Sequence, residues 1–104
     1  MKPGMTSTNH LAGVFSALGA PVRLRILNLL LGADPSGLSV GAIKAKVRIP
    51  GSTLSHHLDR LKRYDLVTVE REGALLRYAL NPKTLDQVAG FFFQTMASRT
   101  QLPS

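Results

Sequence analysis

Hydrophobic residues recur at helical spacing along most of the chain, and their pattern predicts five helices. A polar tail at residues 1–8 precedes the first helix, which is expected over residues 9–18. The second helix is expected over residues 21–31, with Pro21 at its first position. Because it is apolar on nearly all sides, it is predicted to be the buried central helix. Its two arginines, Arg23 and Arg25, are interpreted as holding helix carbonyls or surface ion pairs.

Two short helices joined by a tight turn are expected at residues 40–47 and 51–63, after a turn-rich connection at residues 32–37. The Ser39 hydroxyl can cap the first of them. Pro50 and Gly51 interrupt the helical run, because proline lacks a backbone donor. In the second helix an apolar stripe at i, i+4 and i+7 faces the core: Leu54, Leu58 and Leu61. This unit is predicted to be a helix-turn-helix.

The opposite face of helix 51–63 is polar and rich in hydrogen-bond donors. Ser52 and His56 lie on it, and short side chains of this kind can meet base edges in a major groove. Cations at the far end of the helix can reach phosphates. The residues expected to contact DNA from this unit are Ser52, Thr53, Ser55, His56, Arg60, Lys62, Arg63, Lys44, Lys46 and Arg48.

A β-hairpin is predicted next, with strands at residues 66–71 and 75–80 and Gly73 free to take a positive φ in the turn. Arg71 and Arg77 could straddle a phosphate or reach the minor groove. Glu70 and Glu72 place negative charge near the same tip. The sequence leaves open whether this wing touches DNA or carries only solvated charges.

The last helix is expected to begin after Asn81, with Pro82 as its first residue, and to run to Ser98, leaving a tail at residues 99–104. Three consecutive phenylalanines span too wide an arc to be buried by one face of a small monomer. A second copy of the same helix is the simplest partner. The predicted dimer interface consists of Leu11, Val14, Phe15, Leu18, Leu85, Val88, Phe91, Phe92, Phe93 and Met96.

The charge of the chain points to a polyanionic partner. Thirteen Lys and Arg residues against six Asp and Glu residues give a formal net charge of +7 in 104 residues, a length that fits one domain. Eight of those bases and four of the acids lie between Val40 and Arg77, so this segment holds +4 of the excess. A basic segment centred on a helix-turn-helix is the footprint expected of a nucleic-acid-binding protein.

Several kinds of site are excluded by what the sequence lacks. There is no cysteine, so disulfides, thiolate metal sites and thiol redox sensing are ruled out. His56 and His57 are adjacent and point about 100° apart on a helix, which prevents chelation from one face. A Ser52–His56 pair has no buried carboxylate and no pocket, so an enzyme is not expected. No signal peptide or membrane span is recognised, and a cytoplasmic location is expected.

The run from Ala17 to Leu80 contains, in order, ALGAPVRLRIL, LSVGAI, STLSHHLDRL, DLV, and REG followed by RYAL. It covers roughly two thirds of the chain and resembles the ArsR/SmtB (arsenic-repressor-type) family of bacterial winged helix-turn-helix regulators. The resemblance implies a mainly α fold with a small β-hairpin between the fourth and last helices. It also implies a homodimer, formed through the first and last helices, that binds a palindromic operator and releases it when an inducer arrives.

By the same resemblance, Ser52, Ser55 and His56 match positions that read bases, whereas Gly51 stands where some members carry a longer contacting side chain. The positions of the family's metal ligands hold residues that are poor zinc ligands: Ser39, Gly41, Pro82, Thr84, Thr95 and Ser98. No metal or other cofactor is therefore expected. A small organic inducer between the first and last helices remains open, as does the absence of any inducer.

The leading interpretation is a dimeric DNA-binding transcriptional regulator, specifically a metal-independent repressor. The alternative is a protein-interaction module of winged-helix fold that docks a partner through the phenylalanine-rich last helix. An electrophoretic shift with genomic fragments separates the two, because only the first would bind them.

Overall fold

The computed structural model describes residues 7–101, with side chains up to residue 99. The helices are α1 (Thr8–Leu18), α2 (Pro21–Leu31), α3 (Val40–Val47), α4 (Gly51–Arg63) and α5 (Pro82–Gln101). The strands are β1 (Leu38–Ser39), β2 (Val67–Glu72) and β3 (Leu75–Leu80). The predicted class, mainly α with a β-hairpin before the last helix, is confirmed.

The helix ends lie where the capping residues place them. The Ser7 hydroxyl accepts a hydrogen bond from the His10 backbone N–H, so α1 begins at Thr8, one residue before the prediction. The remaining part of the predicted N-terminal tail, residues 1–6, lies outside the described residues. α5 continues to Gln101, so the prediction that a tail begins at residue 99 is wrong. Asn81 caps α5 as expected, since its Oδ1 accepts from the Lys83 N–H at 3.2 Å.

A third strand, β1, was not predicted. The sheet is antiparallel with the order β1-β3-β2, and Leu38 pairs with Tyr78 while Ser39 pairs with Arg77. Two residues are too few to show an alternating pattern, so this strand can be recognised only from its partner. Ser39 also caps α3 through its hydroxyl, which accepts from the Ala42 N–H at 3.2 Å. The sheet therefore leads directly into the helix-turn-helix.

α4 ends in a Schellman motif that turns the chain into the wing. The Leu66 N–H donates to the Leu61 carbonyl and the Asp65 N–H donates to the Lys62 carbonyl. Asp65 has the left-handed conformation usually given to glycine, with φ of 59°. The buried Thr84 hydroxyl donates to the Asp65 carbonyl. This bond fixes the start of α5 against the end of α4.

The hydrophobic core lies between α2, the helix-turn-helix and the base of the hairpin. α2 packs against α1, α3, α4 and β3, as expected of a central helix. Its burial is incomplete, however, because Leu24 and Leu31 are exposed. The largest fully buried side chains of the core are Ile26, Ile43, Leu54, Leu58, Leu61, Leu66 and Val14.

The assignment of Val14 to a dimer interface is wrong. This side chain is 0% exposed within the single chain, where it joins the core cluster. The i, i+3, i+4, i+7 pattern of α1 spans a wide arc, and one edge of that arc turns inward toward α2 and α4. A partner copy cannot reach a side chain that its own fold already covers.

The molecule is elongated because the second half of α5 extends away from the core. Its extents are 55 × 26 × 24 Å, and its radius of gyration is 15.8 Å. A compact chain of this length would have a radius of gyration of about 13 Å. Leu85 and Val88 at the start of α5 pack on the core, whereas the phenylalanines that follow are exposed.

Within residues 7–101, no single helix is both long and apolar enough to cross a membrane. Only α1 and α2 taken together reach the required length and composition, and the chain bends by 91° between them.

Gly37 allows β1 to approach β3, so replacing it should destabilise the protein. Its φ is 85°, and a Cβ there would lie 2.0 Å from the Tyr78 carbonyl oxygen. We expect Gly37→Ala to lower the free energy of unfolding by at least about 2 kcal/mol, measured by urea denaturation.

Gly41→Ala is the matched control, because a Cβ at this helical position meets nothing within 4 Å. Alanine is the better helix former there, so this variant should be more stable by about 0.5–1 kcal/mol. Equal stability of the two variants would show that β1 is not held against β3 in solution.

Candidate nucleic-acid interface

α4 separates an apolar face from a polar face. Leu54, Leu58 and Leu61 are at most 2% exposed and form its inner stripe. On the opposite side Ser52 and His56 are exposed, as sequence spacing predicts. The other α4 residues expected to contact DNA are also exposed: Thr53, Ser55, Arg60, Lys62 and Arg63. The helix therefore presents hydroxyls and an imidazole on one continuous outer surface.

The N-terminus of α4 is open to an anion. Pro50 occupies the N-cap and supplies no side-chain cap to the first N–H groups of the helix. The Lys44 ammonium lies beside this end, 3.6 Å from the position a Cβ would take on Gly51. Unpaired N–H groups and an ammonium together form a site suited to a phosphate oxygen.

The remaining cations of the turn are exposed. Lys46 lies in the last turn of α3, and Arg48 follows as its C-cap with φ of 57° in the left-handed region. The Arg48 N–H donates to the Lys44 carbonyl at 3.0 Å, which closes the helix. Because only its backbone is used in this cap, the Arg48 guanidinium is left at the surface beside the turn.

Arg60 has a different position from the one predicted. It was expected to reach a phosphate from the far end of α4. Instead its Nη2 donates to the Ser16 hydroxyl of α1 at 3.3 Å. Arg60 lies on the flank of α4 that packs against α1, so its side chain is directed across the helix pair and away from the outer face.

His57 contacts α2. Its Nδ1 lies 3.0 Å from the Arg23 Nη1. A guanidinium has only donors, so Nδ1 is the acceptor and the imidazole is neutral. Burial lowers the pKa of His57, and the positive charges of Arg23 and His56 lower it further. The pKa of Arg23 is likewise lowered by burial and then by Arg60.

The interpretation of the two α2 arginines is confirmed. Arg23 Nε donates to the Ala17 carbonyl at 2.5 Å and its Nη2 donates to the Ser16 carbonyl at 3.5 Å. Arg25 Nη2 donates to the Val47 carbonyl at 3.3 Å. Both guanidiniums thus satisfy carbonyls at helix C-termini, which carry partial negative charge.

The wing residues do not act together. In the β2–β3 register, Arg71 pairs with Leu76 and Arg77 pairs with Glu70, so the two arginines lie on opposite faces of the hairpin. Arg77 donates from Nη2 to the Gly37 carbonyl at 3.0 Å, and its Nε lies 3.9 Å from Glu72. It was expected to contact DNA, but the structure places it as a tie between the wing and β1. Arg71 is exposed.

One further ionisable group with a shifted pKa lies in the wing. Tyr78 of β3 is buried, and burial raises the pKa of its phenol, with the Asp59 carboxylate of α4 raising it further. Among the described residues, no group of three or more His, Cys, Asp or Glu side chains could hold a metal ion.

The predicted dimer residues other than Val14 form a surface along α1 and α5. The Phe15 ring lies edge-on to Phe91 and Phe92, with centroid distances of 5.8 and 5.6 Å. Phe93 and Met96 are exposed on the same helix. Leu11 and Leu18 are half-buried. Val88 and Leu85 pack against the core cluster and form the base of this surface.

The comparisons with known proteins all indicate the same family. A family model described as a helix-turn-helix domain matches residues 18–70. The transcriptional repressor SdpR of Bacillus subtilis is 36% identical to this chain over 72 residues, which is 69% of this chain and 77% of that protein.

Solved structures agree with this match. An ArsR-like transcriptional regulator from Rhodococcus sp. RHA1 superposes with a TM-score of 0.78 at 26% identity, covering 89% of this chain and 85% of that one. The homodimeric winged helix-turn-helix DNA-binding domain from Mycobacterium bovis has a TM-score of 0.66 at 26% identity, covering 98% of this chain and 94% of that one. The chain belongs to the ArsR/SmtB-type family of winged helix-turn-helix transcriptional regulators, which are DNA-binding proteins and not enzymes.

Proposed function

We propose that the protein is a dimeric repressor whose two copies place α4 in successive major grooves of a palindromic operator. The observation that carries this proposal is the outer face of α4, where Ser52 and His56 are exposed next to an uncapped helix N-terminus. In helix-turn-helix proteins, residues near the N-terminus of the second helix contact the base edges. The two grooves would lie about 34 Å apart, one turn of DNA.

Two sets of side chains are proposed to contact different parts of the DNA, the base edges and the phosphates. Ser52, Thr53, Ser55 and His56 are proposed to meet base edges, because their hydroxyls and imidazole can donate and accept at short range. The proposed phosphate contacts come from cations around them: Lys44, Lys46, Arg48, Lys62, Arg63 and Arg71. Arg60 and Arg77 leave the predicted set, because their guanidiniums are bonded within the chain.

Dimerisation is proposed through the phenylalanine-rich surface of α1 and α5. Phe93 is 73% exposed and Met96 is 65% exposed, and both lie on a helix that extends beyond the core. A large exposed apolar patch of this kind normally marks an interface. The M. bovis domain that superposes on this chain is described as homodimeric, which supports the same assembly here.

The repressor role is supported by SdpR, a transcriptional repressor, and a DNA-binding regulator of this kind would act in the cytoplasm. Metal-independent control is proposed because the sequence holds no cysteine and because Ser39 and Thr84 use their hydroxyls within the fold. Any inducer would then be an organic molecule.

The division between base and phosphate contacts predicts different effects of two substitutions. His56→Ala should lose about 1–3 kcal/mol of discrimination between operator variants at the base pair it contacts. Lys62→Ala should weaken binding to all variants similarly and reduce the salt dependence by about one counterion. The dissociation constants can be measured by fluorescence anisotropy on an operator selected from a randomised duplex pool.

The wild-type protein provides the reference for the salt dependence. Raising salt from about 50 to 200 mM should weaken its binding by about 10³ or more for six to ten phosphate contacts. A salt-independent affinity would contradict a DNA-binding function. Equal effects of the two substitutions on discrimination would show that another face of α4 enters the groove.

The dimer surface predicts that Phe93→Ser shifts the protein toward monomer. Phe93 has no ring contact of its own among the described aromatic pairs, so its loss should leave the fold of the chain intact. We expect the dimer dissociation constant, from sedimentation equilibrium, to rise by at least about tenfold.

Leu31→Ser is the matched control, because Leu31 is 68% exposed on α2, outside the phenylalanine-rich surface. It should leave the dimer unchanged. Similar dissociation constants for both variants and the wild type would contradict an interface at α5.

A further inference from the structure

α1 makes packing contacts on two opposite faces. One side carries Phe15 with its ring contacts to α5, next to the half-buried Leu11 and Leu18. At 100° per residue, Gly13 and Ala17 lie on roughly the opposite side. That second side packs against α4. The helix proposed to meet the partner copy is therefore also the helix that holds the recognition helix.

The first contact of this second side is a close fit of an aromatic ring over a glycine. A Cβ on Gly13 would lie 2.2 Å from the Tyr64 Cε1, so the ring occupies the space a larger residue would need. The His10 ring lies on the same tyrosine, with a centroid distance of 6.2 Å. Tyr64 is the C-cap of α4, so this contact fixes the far end of the recognition helix.

The other contacts are made by two arginines. Arg60 of α4 donates to the Ser16 hydroxyl, one turn before Tyr64. Arg23 of α2 binds the Ala17 and Ser16 carbonyls with two of its nitrogens and the His57 imidazole with a third. One guanidinium thus joins the end of α1 to the middle of α4.

We call this set of contacts the α1–α4 seam; it consists of Gly13, Ser16, Ala17, Arg23, His57, Arg60 and Tyr64. From the start to the end of α1, successive contacts reach positions closer to the N-terminus of α4. Because the contacts are spread along both helices, they fix both the separation and the tilt of α1 and α4. None of them faces the outer surface that is proposed to enter DNA.

The seam depends on geometry more than on charge compensation. Burial lowers the pKa of Arg23, and the positive charge of Arg60 lowers it further. Their acceptors are carbonyls, a hydroxyl and an imidazole, and neither forms an ion pair within residues 7–99. The planar fork of Arg23 reaches three acceptors at fixed angles, which a lysine ammonium cannot reproduce.

We propose that the α1–α4 seam sets the distance between the two recognition helices of the dimer and so determines which half-site spacing the protein accepts. Arg23 is its central positioning residue. The inference rests on the dimeric DNA-binding function proposed above. One base pair advances the duplex by about 3.4 Å and rotates it by about 35°, so the preferred spacing depends on both the separation and the tilt that the seam gives α1 and α4.

The test measures affinity as a function of half-site spacing. Two copies of the half-site selected by the wild type are placed on duplexes whose spacers differ by single base pairs, and each is titrated with wild type, Arg23→Lys and Arg25→Lys at concentrations where all are dimeric. For Arg23→Lys we expect the ratio between the best and the next spacing to fall by about threefold or more, or the optimum to move. Affinity for a single half-site should stay unchanged.

Arg25→Lys is the matched control, because Arg25 lies on the same helix and also binds a helix carbonyl, that of Val47 in α3, outside the seam. Its spacing profile should equal that of the wild type. An unchanged profile for Arg23→Lys, with only a lower melting temperature, would overturn the inference and leave the proposed function standing. Failure of the wild type to bind any spacing would refute the proposed function itself.

A second pair of variants tests the seam without changing charge. Gly13→Ala should force α1 and α4 apart at Tyr64 and alter the spacing profile, and adding Tyr64→Ala should restore it. Gly90→Ala in α5 is the control, since a Cβ there meets nothing within 4 Å. No rescue by the second substitution would contradict a positioning role for this contact.

The hydrogen bond between Arg23 and His57 also makes the seam sensitive to pH. Protonating His57 removes the acceptor of the Arg23 guanidinium. It also adds a positive charge beside Arg23 of α2 and beside His56 and Arg60 of α4. The groups that α1 presents here are uncharged: the Ser16 and Ala17 carbonyls and the Ser16 hydroxyl. The pKa of His57 is lowered from its ordinary 6.5, so the unfolded chain binds this proton more readily than the folded protein. Stability should therefore be lost as pH falls below 6.5 through that lowered pKa.

Melting temperatures between about pH 8 and pH 5 check this sign. His57→Gln keeps a neutral acceptor that does not titrate and should lose less stability on acidification than the wild type. His56→Gln is the control and should follow the wild-type curve more closely. Parallel curves for wild type and His57→Gln would show that this bond of the seam does not form in solution.

Discussion

The burial of one leucine stripe on α4 is the constraint on which the rest of the structure depends. Leu54, Leu58 and Leu61 are all covered, and burying a leucine side chain contributes about 1.5–3 kcal/mol. A hydrogen bond at the surface contributes only about 1 kcal/mol. Rotating α4 by one residue would expose part of this stripe and bury charged side chains. The apolar face therefore decides which polar face meets solvent, and the proposed base contacts lie on the face that the core leaves exposed.

The positive charge of the chain is arranged so that it is not cancelled internally. Within residues 7–99 one ion pair is present, between Arg77 and Glu72, and its atoms are 3.9 Å apart. Arg23, Arg25 and Arg60 are held by carbonyls, a hydroxyl and an imidazole, which orient the guanidiniums without neutralising them. Their charge still contributes to the field around the helix-turn-helix, and such a field attracts a polyanion over several ångströms. In the proposed function these structural arginines would assist DNA binding without touching the DNA.

Hydrophobic periodicity predicted the bounds of the helices to within a few residues, because each helix buries apolar residues that recur at helical spacing in the sequence. It could not predict β1, because Leu38 and Ser39 form a strand only through their pairing with Tyr78 and Arg77. Exposure of the outer face of α4 followed from spacing alone, but the partners of Arg60 did not. Long side chains can turn to either flank of a helix, and only the position of Ser16 in α1 decides between them. Val14 was misplaced for a related reason, since an apolar position in a helix can face its own core or a partner.

The two sides of α1 connect the stability of the fold to its assembly. One side completes the core through Val14 and Ala17 and meets α4, while the other side joins Phe15 to the aromatic surface of α5. A helix packed on both sides cannot shift toward one neighbour without moving from the other, because packed interiors are dense and little compressible. A ligand or mutation acting between α1 and α5 would therefore be felt at α4 without any contact to the DNA-facing residues. The sequence offers no cysteine for a thiolate metal site or a redox switch, and under the proposed function this packing would couple a molecule bound between α1 and α5 to the DNA-facing helix.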